Sequence, residues 1–311
     1  MNNLKILFGA VGLCAMGWTL PAYAQTCDRV CLEGIANQYR AAWAAHDPKR
    51  APIAAKVGFT ENGVSLDFPD GTWDTITKEV GPPLIFSDPK TGAVGIFTAI
   101  FQNDTPSFLA VRLKVINRKI TEIEHIISTK RTVSGPPTPF GDINTYGHTP
   151  RFGEPAPAGT CGTRAQIIAQ ANGYFDTLQN NTGEIRGAKF APDASRSENG
   201  GKLAGDIEHA FKLGNYRFNA RVRDRDHFLV DEYRCVVMSR AFIDHKGVLD
   251  EYTLTDGTKR KSIFREPHTW AMIEAFKVRD GAITDVKAVF FGAPYYMRSP
   301  WTVKWDRRAQ N

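Results

Sequence analysis

The residues that could do chemistry gather in the C-terminal half: Glu198, Glu274, Tyr174 and His268. Alternate residues of a strand face opposite ways, so in the segment ending at Val278 the residues His268, Trp270, Met272, Glu274, Phe276 and Val278 share one face. A carboxylate among apolar neighbours has a raised pKa, which suits a general acid or base. The competing reading is structural, with Glu274 buried in an ion pair with an arginine such as Arg240. Glu198 precedes Asn199-Gly200, so it either moves a proton or flanks a hairpin turn. Tyr174 lies on the apolar side of a helix, where its hydroxyl either steadies a developing oxyanion or is satisfied within the core. In the catalytic reading His268 is a second donor, Trp270 shapes an apolar wall, and Arg240, Arg223 and Tyr295 contact the substrate.

The N-terminal half offers Tyr39, Glu61 and His125 as counterparts. His125 shares a face with Ile123 and Ile127, a pattern that fits a satisfied core histidine as well as a catalytic one. A basic stripe runs through Arg217, Asn219, Arg221, Arg223, Arg225 and His227, alternating with Phe218, Ala220 and Val222. On a strand it forms either a solvated face or a grip on a carboxylate.

The elements that position these residues occur twice. Cys31 to Pro52 and Arg164 to Leu178 have apolar residues at helical spacing, and each contains Ala-Asn-x-Tyr, ending at Tyr39 and Tyr174. Glu-Asn-Gly follows the tyrosines by 22 and 24 residues. Leu113 to Ile127 then matches Phe276 to Phe290, with Lys-Val and Ile-Thr at equal offsets, which makes Val111 the counterpart of Glu274. From the motif glutamate to the lysine of Lys-Val is 53 residues in the first half and 79 in the second, so about 26 extra residues decorate the second. The rest of each half reads as strands with tight turns at Asn117-Arg118 and Asp280-Gly281. A helix followed by an antiparallel meander is an α+β pattern, in which a curved sheet wraps the helices and leaves a cone-shaped pocket.

These residues resemble a family. The helix with its central tyrosine, the carboxylate after it and the closing hairpins look like two tandem copies of the nuclear-transport-factor-2-like fold, in its SnoaL-like and ketosteroid-isomerase-like branch. The elements Phe-Thr-Glu-Asn-Gly, Glu-Asn-Gly, Glu-x-Phe-Lys-Val and Pro-Tyr-Tyr-Met-Arg-Ser-Pro-Trp are also similar to those of secreted bacterial and fungal proteins built as this tandem. The resemblance implies two cones, with a proton-shuttling carboxylate in the segment of Glu61 and of Glu198. It leaves the reaction open, since the fold hosts cofactor-free isomerases, cyclases, dehydratases, lyases on aromatic compounds, and proteins that only bind. The expected layout is a signal peptide over 1–24, a first domain over 25–130, a Pro/Gly-rich linker or surface strap over 131–160 and a second domain over 161–311. The two repeats are expected to pack sheet against sheet as a pseudo-dimer within one monomer.

Compartment follows from the N-terminus. One lysine, an apolar run from Ile6 to Leu20 and the small-residue pattern Ala22-Tyr23-Ala24 read as a cleavable secretory signal, too short to span a bilayer. Its removal takes Cys14 and leaves Cys27, Cys31, Cys161 and Cys235, an even set for an oxidising compartment. Three pairings are possible, of which Cys161 with Cys235 is expected because both lie in the second half. The cysteine spacing does not fit a zinc site, and neither metal nor cofactor is expected. A net charge of +6 over 311 residues suits acidic small molecules better than nucleic acid, and a 42% hydrophobic share supports two cores. The closing Pro294-Tyr295-Tyr296-Met297 segment, with Trp301 and Trp305, either forms a lip over the second cone or clamps the halves together. The expected function is a periplasmic or secreted, cofactor-independent lyase or isomerase acting on a small, partly apolar aromatic or carbonyl compound, with no nucleic acid and no membrane insertion. The alternatives are β-elimination on an acidic sugar and a non-catalytic binding or interaction module.

Overall fold

A computed structural model describes residues 27–130, 139–145, 150–203 and 205–301. The expected signal peptide, Trp305 and residues 131–138 and 146–149 of the expected linker lie outside them. Each half opens with its helix. In α1 (Arg29–Ala44), Asp28 caps the first turn by accepting from the Cys31 N–H at 2.9 Å, and Leu32, Ile35, Ala36, Tyr39, Ala42 and Trp43 form the buried stripe. In α4 (Arg164–Leu178), a Thr163/Gln166 capping box does the same for a stripe of Ile167, Ala171, Tyr174, Phe175 and Leu178. Gly173 is required there, because a Cβ would meet the Gly187 carbonyl carbon at 2.3 Å.

The first half continues through β1 (Ile53–Glu61), β2 (Val64–Ser65), a one-turn α2 (Thr72–Thr75), β3 (Ile76–Asp88), β4 (Ala93–Gln102), β5 (Thr105–Ile116) and β6 (Lys119–Thr129). After α3 (Pro150–Gly153) and α4, the second half repeats the order with β7 (Phe190–Glu198), β8 (Gly201–Lys202), α5 (Ile207–Lys212), β9 (Arg221–Asp231), β10 (Val236–His245), β13 (His268–Arg279) and β14 (Ala282–Ala293). Between β10 and β13 the 246–267 segment, which holds most of the extra length of the second repeat, forms a separate hairpin of β11 (Glu251–Thr253) and β12 (Lys259–Lys261). The two six-stranded sheets have the orders β2-β1-β6-β5-β4-β3 and β8-β7-β14-β13-β10-β9, antiparallel except where β1 lies parallel to β6 and β7 to β14. The fold is therefore α+β, with matching topology in its halves.

The turns were legible for a physical reason. Asn62-Gly63, Asn117-Arg118, Asn199-Gly200 and Asp280-Gly281 all have positive φ at both positions, the backbone a two-residue hairpin needs to match strand twist. Asn62 and Asn199 also reach the last strand of their sheets, accepting from Ile127 N–H at 2.7 Å and Phe290 N–H at 2.9 Å.

Helices cover one face of each sheet, and the other faces meet. Phe97, Phe108, Ala110 and Ile126 pack against Leu229, Met238, Ile273, Ala275 and Val289 in one buried cluster. The edges are tied reciprocally: Ser87 N–H donates to Asp231 at 3.2 Å and Val230 N–H to Asp88 at 3.0 Å. Such an exchange between equivalent positions is the mark of an isologous contact. The expected surface strap departs from expectation, since Phe140, Ile143 and Phe152 are packed into this same cluster. The closing segment is a clamp. Met297 packs on Phe242 and Ala271 of the second sheet, and Trp301 Nε1 donates to Thr60 of the first at 2.9 Å. Both disulfides are present, Cys27–Cys31 and Cys161–Cys235. Among the described residues no helix is long and apolar enough to cross a membrane.

Candidate functional site

Strand pairing decides which polar groups meet inside the second half. Ser239, Glu274, Ala288 and Glu198 are opposite one another on β10, β13, β14 and β7, so they form one row across the helix-covered face. Ala288 is small, and the carboxylates flank the space it leaves. His125 occupies the corresponding position in the first half, opposite Val111 and Glu61. The two halves thus place an ionisable group in the same layer from different strands.

Arg196 joins the row. It donates to the Tyr174 hydroxyl at 3.2 Å and to the Tyr216 hydroxyl, and its Nε lies 3.5 Å from Glu198 Oε1. Burial, reinforced by the charge of Glu198, pushes Glu274 up to about 8, against the opposing pull of Arg196 and a Tyr174 hydrogen bond. Burial also raises Glu198, with Arg196 opposing it. Glu274 Oε2 has no hydrogen-bond partner among the described residues, although the residue is only 2% exposed. A protonated carboxyl beside a second carboxylate and a Tyr–Arg–Tyr donor group can give a proton at one atom and steady negative charge at another. His227 reaches the row from β9, with Nδ1 2.7 Å from Ser239 Oγ, and burial holds it below the usual histidine range.

In the first half the equivalent residues close a chain. Tyr39 Oη is 2.7 Å from His125 Nε2, Thr72 Oγ1 is 3.0 Å from His125 Nδ1, and Thr72 donates to Glu61 from both its hydroxyl (2.8 Å) and its backbone N–H (3.0 Å). Trp73 Nε1 donates to Tyr39 Oη at 3.2 Å. Burial alone would raise Glu61, but the hydrogen bonds and charge of His125 and Thr72 outweigh it and hold its carboxyl below the usual range. Tyr39 and His125 are both fully buried. Each polar group here is matched to another, which is how a structural network is completed.

Several expected site residues stand elsewhere. Arg240 does not pair with Glu274: its neighbour across the sheet is Ile273, on the opposite face, and it binds Glu124 at 3.2 Å and Asp226 at 2.8 Å between the two sheets. The basic stripe divides at Asp224, whose positive φ and the irregular β9–β10 register break the alternation. Arg221 and Arg223 turn outward onto Asp244 and the rings of Tyr295 and Tyr296, whereas Arg225 turns onto Asp176 of α4. Arg223 and Tyr295 are therefore parts of the C-terminal clamp. Trp270 and His268 do share Glu274's face, but four and six residues along a strand is about 13 and 20 Å from it. His268 stacks on His245 instead, at 4.4 Å between ring centres.

Arg196 was missed, although it lies two residues before Glu198 and so on the same face. Tyr216 follows a helix in irregular chain and left no periodic signal. Two cavities do not coincide with the carboxylates. One of about 1240 Å³ lies between β1 and the 65–69 segment of the first half and Trp301 of the C-terminal clamp, with Phe59 and Phe68 in its wall. Another of about 640 Å³ lies under the β11–β12 hairpin. Chemistry weighs more than size here, because the walls of the larger cavity hold scattered Lys49, Lys56, Asp67 and Glu122 without the paired acid and donor groups of the second half. Among the described residues no group of three or more His, Cys, Asp or Glu side chains could hold a metal ion.

Residues 160–290 match a family model described as a domain of unknown function (DUF8021). That span carries Tyr174, Arg196, Glu198 and Glu274. No curated protein matches the chain. Among solved structures, AclR, a putative hydroxylase from Streptomyces galilaeus, is 14% identical over 42% of this chain and 77% of its own, with a TM-score of 0.27.

Proposed function

We propose that the second half is a cofactor-independent acid–base site, acting as an isomerase or lyase on a small, partly apolar aromatic or carbonyl compound. In this reading each half is a nuclear-transport-factor-2-like cone, supported by the helix-covered sheets and their repeated order. Glu274, protonated at neutral pH, supplies a proton; Glu198, whose carboxyl burial raises against the opposing charge of Arg196, receives one. The Tyr174 and Tyr216 hydroxyls, polarised by Arg196, hold the negative charge that develops when a carbon–hydrogen bond is weakened. The observation that carries this reading is the Glu274 carboxyl, buried, raised to about 8 and with one oxygen that has no partner among the described residues. An uncompensated buried polar group costs about 1–3 kcal/mol, and a site that uses it gives that cost a function. The arginines expected to neutralise an acidic sugar are already bound to Asp244 and Asp176, so β-elimination on a uronate is less well supported.

Incubation with enolisable carbonyl and aromatic compounds in deuterated water, followed by NMR, tests the reading directly. Deuterium should enter a carbon position of at least one class, and Glu274→Gln should slow the exchange by about 100- to 10,000-fold while leaving the melting curve cooperative. Exchange at an unchanged rate in the folded variant would remove Glu274 from the chemistry.

A further inference from the structure

Three arginines of the basic stripe are held by aspartates, and the fourth is not. Arg217 stands half-buried in the chain between α5 and β9, and its guanidinium has no hydrogen-bond or ion-pair partner among the described residues. It lines the cavity of about 640 Å³ beneath the β11–β12 hairpin, as does Lys246, which is exposed and equally without a side-chain partner among the described residues. The acid in that wall, Glu251, is taken by Lys259 at 3.3 Å, and neighbouring Asp250 by Arg265. Two positive charges therefore border the cavity uncompensated. Phe218, half-buried and edge-on to Phe264 at 4.9 Å between ring centres, lines it together with Leu249 and Val248. Val248 is 82% exposed, an apolar side chain held in water. The turn that carries it is fixed: Gly247 has φ of +71°, and a Cβ there would meet the Glu266 carbonyl carbon at 2.6 Å.

Small-molecule sites are clefts of roughly 300–1,000 Å³ with apolar walls and a few polar groups that fix orientation, and this cavity has both the size and the composition. We propose that it binds a small aromatic carboxylate, with the carboxylate on Arg217 and Lys246 and the ring on Phe218, Leu249 and Val248. A guanidinium presents a planar fork of N–H donors that matches two carboxylate oxygens, and the ammonium adds a second charge. An acidic sugar offers the same carboxylate, but its hydroxyls would give up water against Phe218, Leu249 and Val248, which return no hydrogen bonds. The site is read by binding alone and does not rest on proton transfer at Glu274.

Calorimetric titration of the whole protein with naphthoate, with naphthylmethanol, its neutral counterpart, and with glucuronate separates the charge from the ring and needs no turnover. Naphthoate should bind at least tenfold more tightly than either of the others. Arg217→Gln should weaken naphthoate at least tenfold and leave naphthylmethanol within about threefold, and Lys246→Gln should do the same with a smaller loss. Neither side chain has a partner to lose, and melting curves confirm that each variant is folded; if one is not, the other still reads the difference. Equal affinities for naphthoate and naphthylmethanol, glucuronate bound as tightly as naphthoate, a naphthoate affinity unchanged in the folded variants, or no binding of naphthoate at millimolar concentration would each overturn the proposal.

Discussion

Glu274 differs from an ordinary carboxylate by about 3.5 pH units, from 4.5 to about 8, and that difference is linked to stability. Because its folded pKa lies above the unfolded one, the folded state binds more protons between those values. Stability from this residue is therefore full below about pH 4.5 and is lost as pH rises toward 8. The full shift corresponds to an upper figure on the order of 5 kcal/mol. The melting temperature of the native protein should fall between pH 5 and 8, and Glu274→Gln should flatten that decline. Glu61 has the opposite sign. Its lowered pKa stabilises the fold above about 4.5 and the benefit disappears as pH falls. Glu61→Gln should cost about 1–3 kcal/mol at pH 7 and much less at pH 3, read by denaturant titration at the two pH values. Strand parity placed Glu274 and His125 on inward faces, helical spacing placed Tyr39 and Tyr174, and the repeated Glu-Asn-Gly with the family resemblance pointed to Glu61 and Glu198. Arg240 was misplaced because parity says which residues share a face but not which charge stands across an interface.

At the scale of elements, regular pairing made the sequence readable and irregular pairing hid the rest. β13 keeps its alternation through the site, so Met272, Glu274, Phe276 and Val278 face inward as expected. β9 shifts register twice against β10, and the stripe of arginines that looked continuous splits between two faces. The 246–267 insertion carries no repeat partner, and so no pattern announced that Phe264 would close over His245 and His268. The Asn-Gly turns show how a local signal acquires a tertiary duty. Gly200 has φ of +76°, and a Cβ there would meet the Phe108 ring of the other half at 2.1 Å. Gly200→Ala should destabilise the protein by about 2–4 kcal/mol, combining backbone strain with a clash in a packed interface, with Gly205→Ala, where a Cβ meets nothing within 4 Å, as the milder control. Thermal unfolding of the two variants makes that comparison.

The whole molecule is held by an interface with charge at its centre. Arg240 and Arg112 share Glu124, and both Arg240 and Glu124 are within 2% of full burial. Arg240→Ala leaves Glu124 with a weakened set of partners in a dry site and should cost about 3–5 kcal/mol in chemical unfolding, whereas an isosteric Arg240→Met paired with Glu124→Gln should recover much of it. The disulfides act on different lengths of chain. Cys161–Cys235 closes a separation of 74 residues and Cys27–Cys31 one of 4. Loop-closure entropy assigns them about 4 and about 2 kcal/mol, so the Cys161→Ser, Cys235→Ser variant should melt well below the Cys27→Ser, Cys31→Ser one.

The reciprocal hydrogen bonds of Asp88 and Asp231 have a consequence for how such a protein changes. In a homodimer every substitution occurs twice, once on each side of the axis, and any harm is doubled with it. Here the two sides of the axis are separate stretches of one gene. A buried carboxyl can stand at Glu274 while its counterpart is Val111, and the 246–267 insertion can extend one half without a copy in the other. Joined in one chain, the two halves can differ residue by residue while keeping the interface between them.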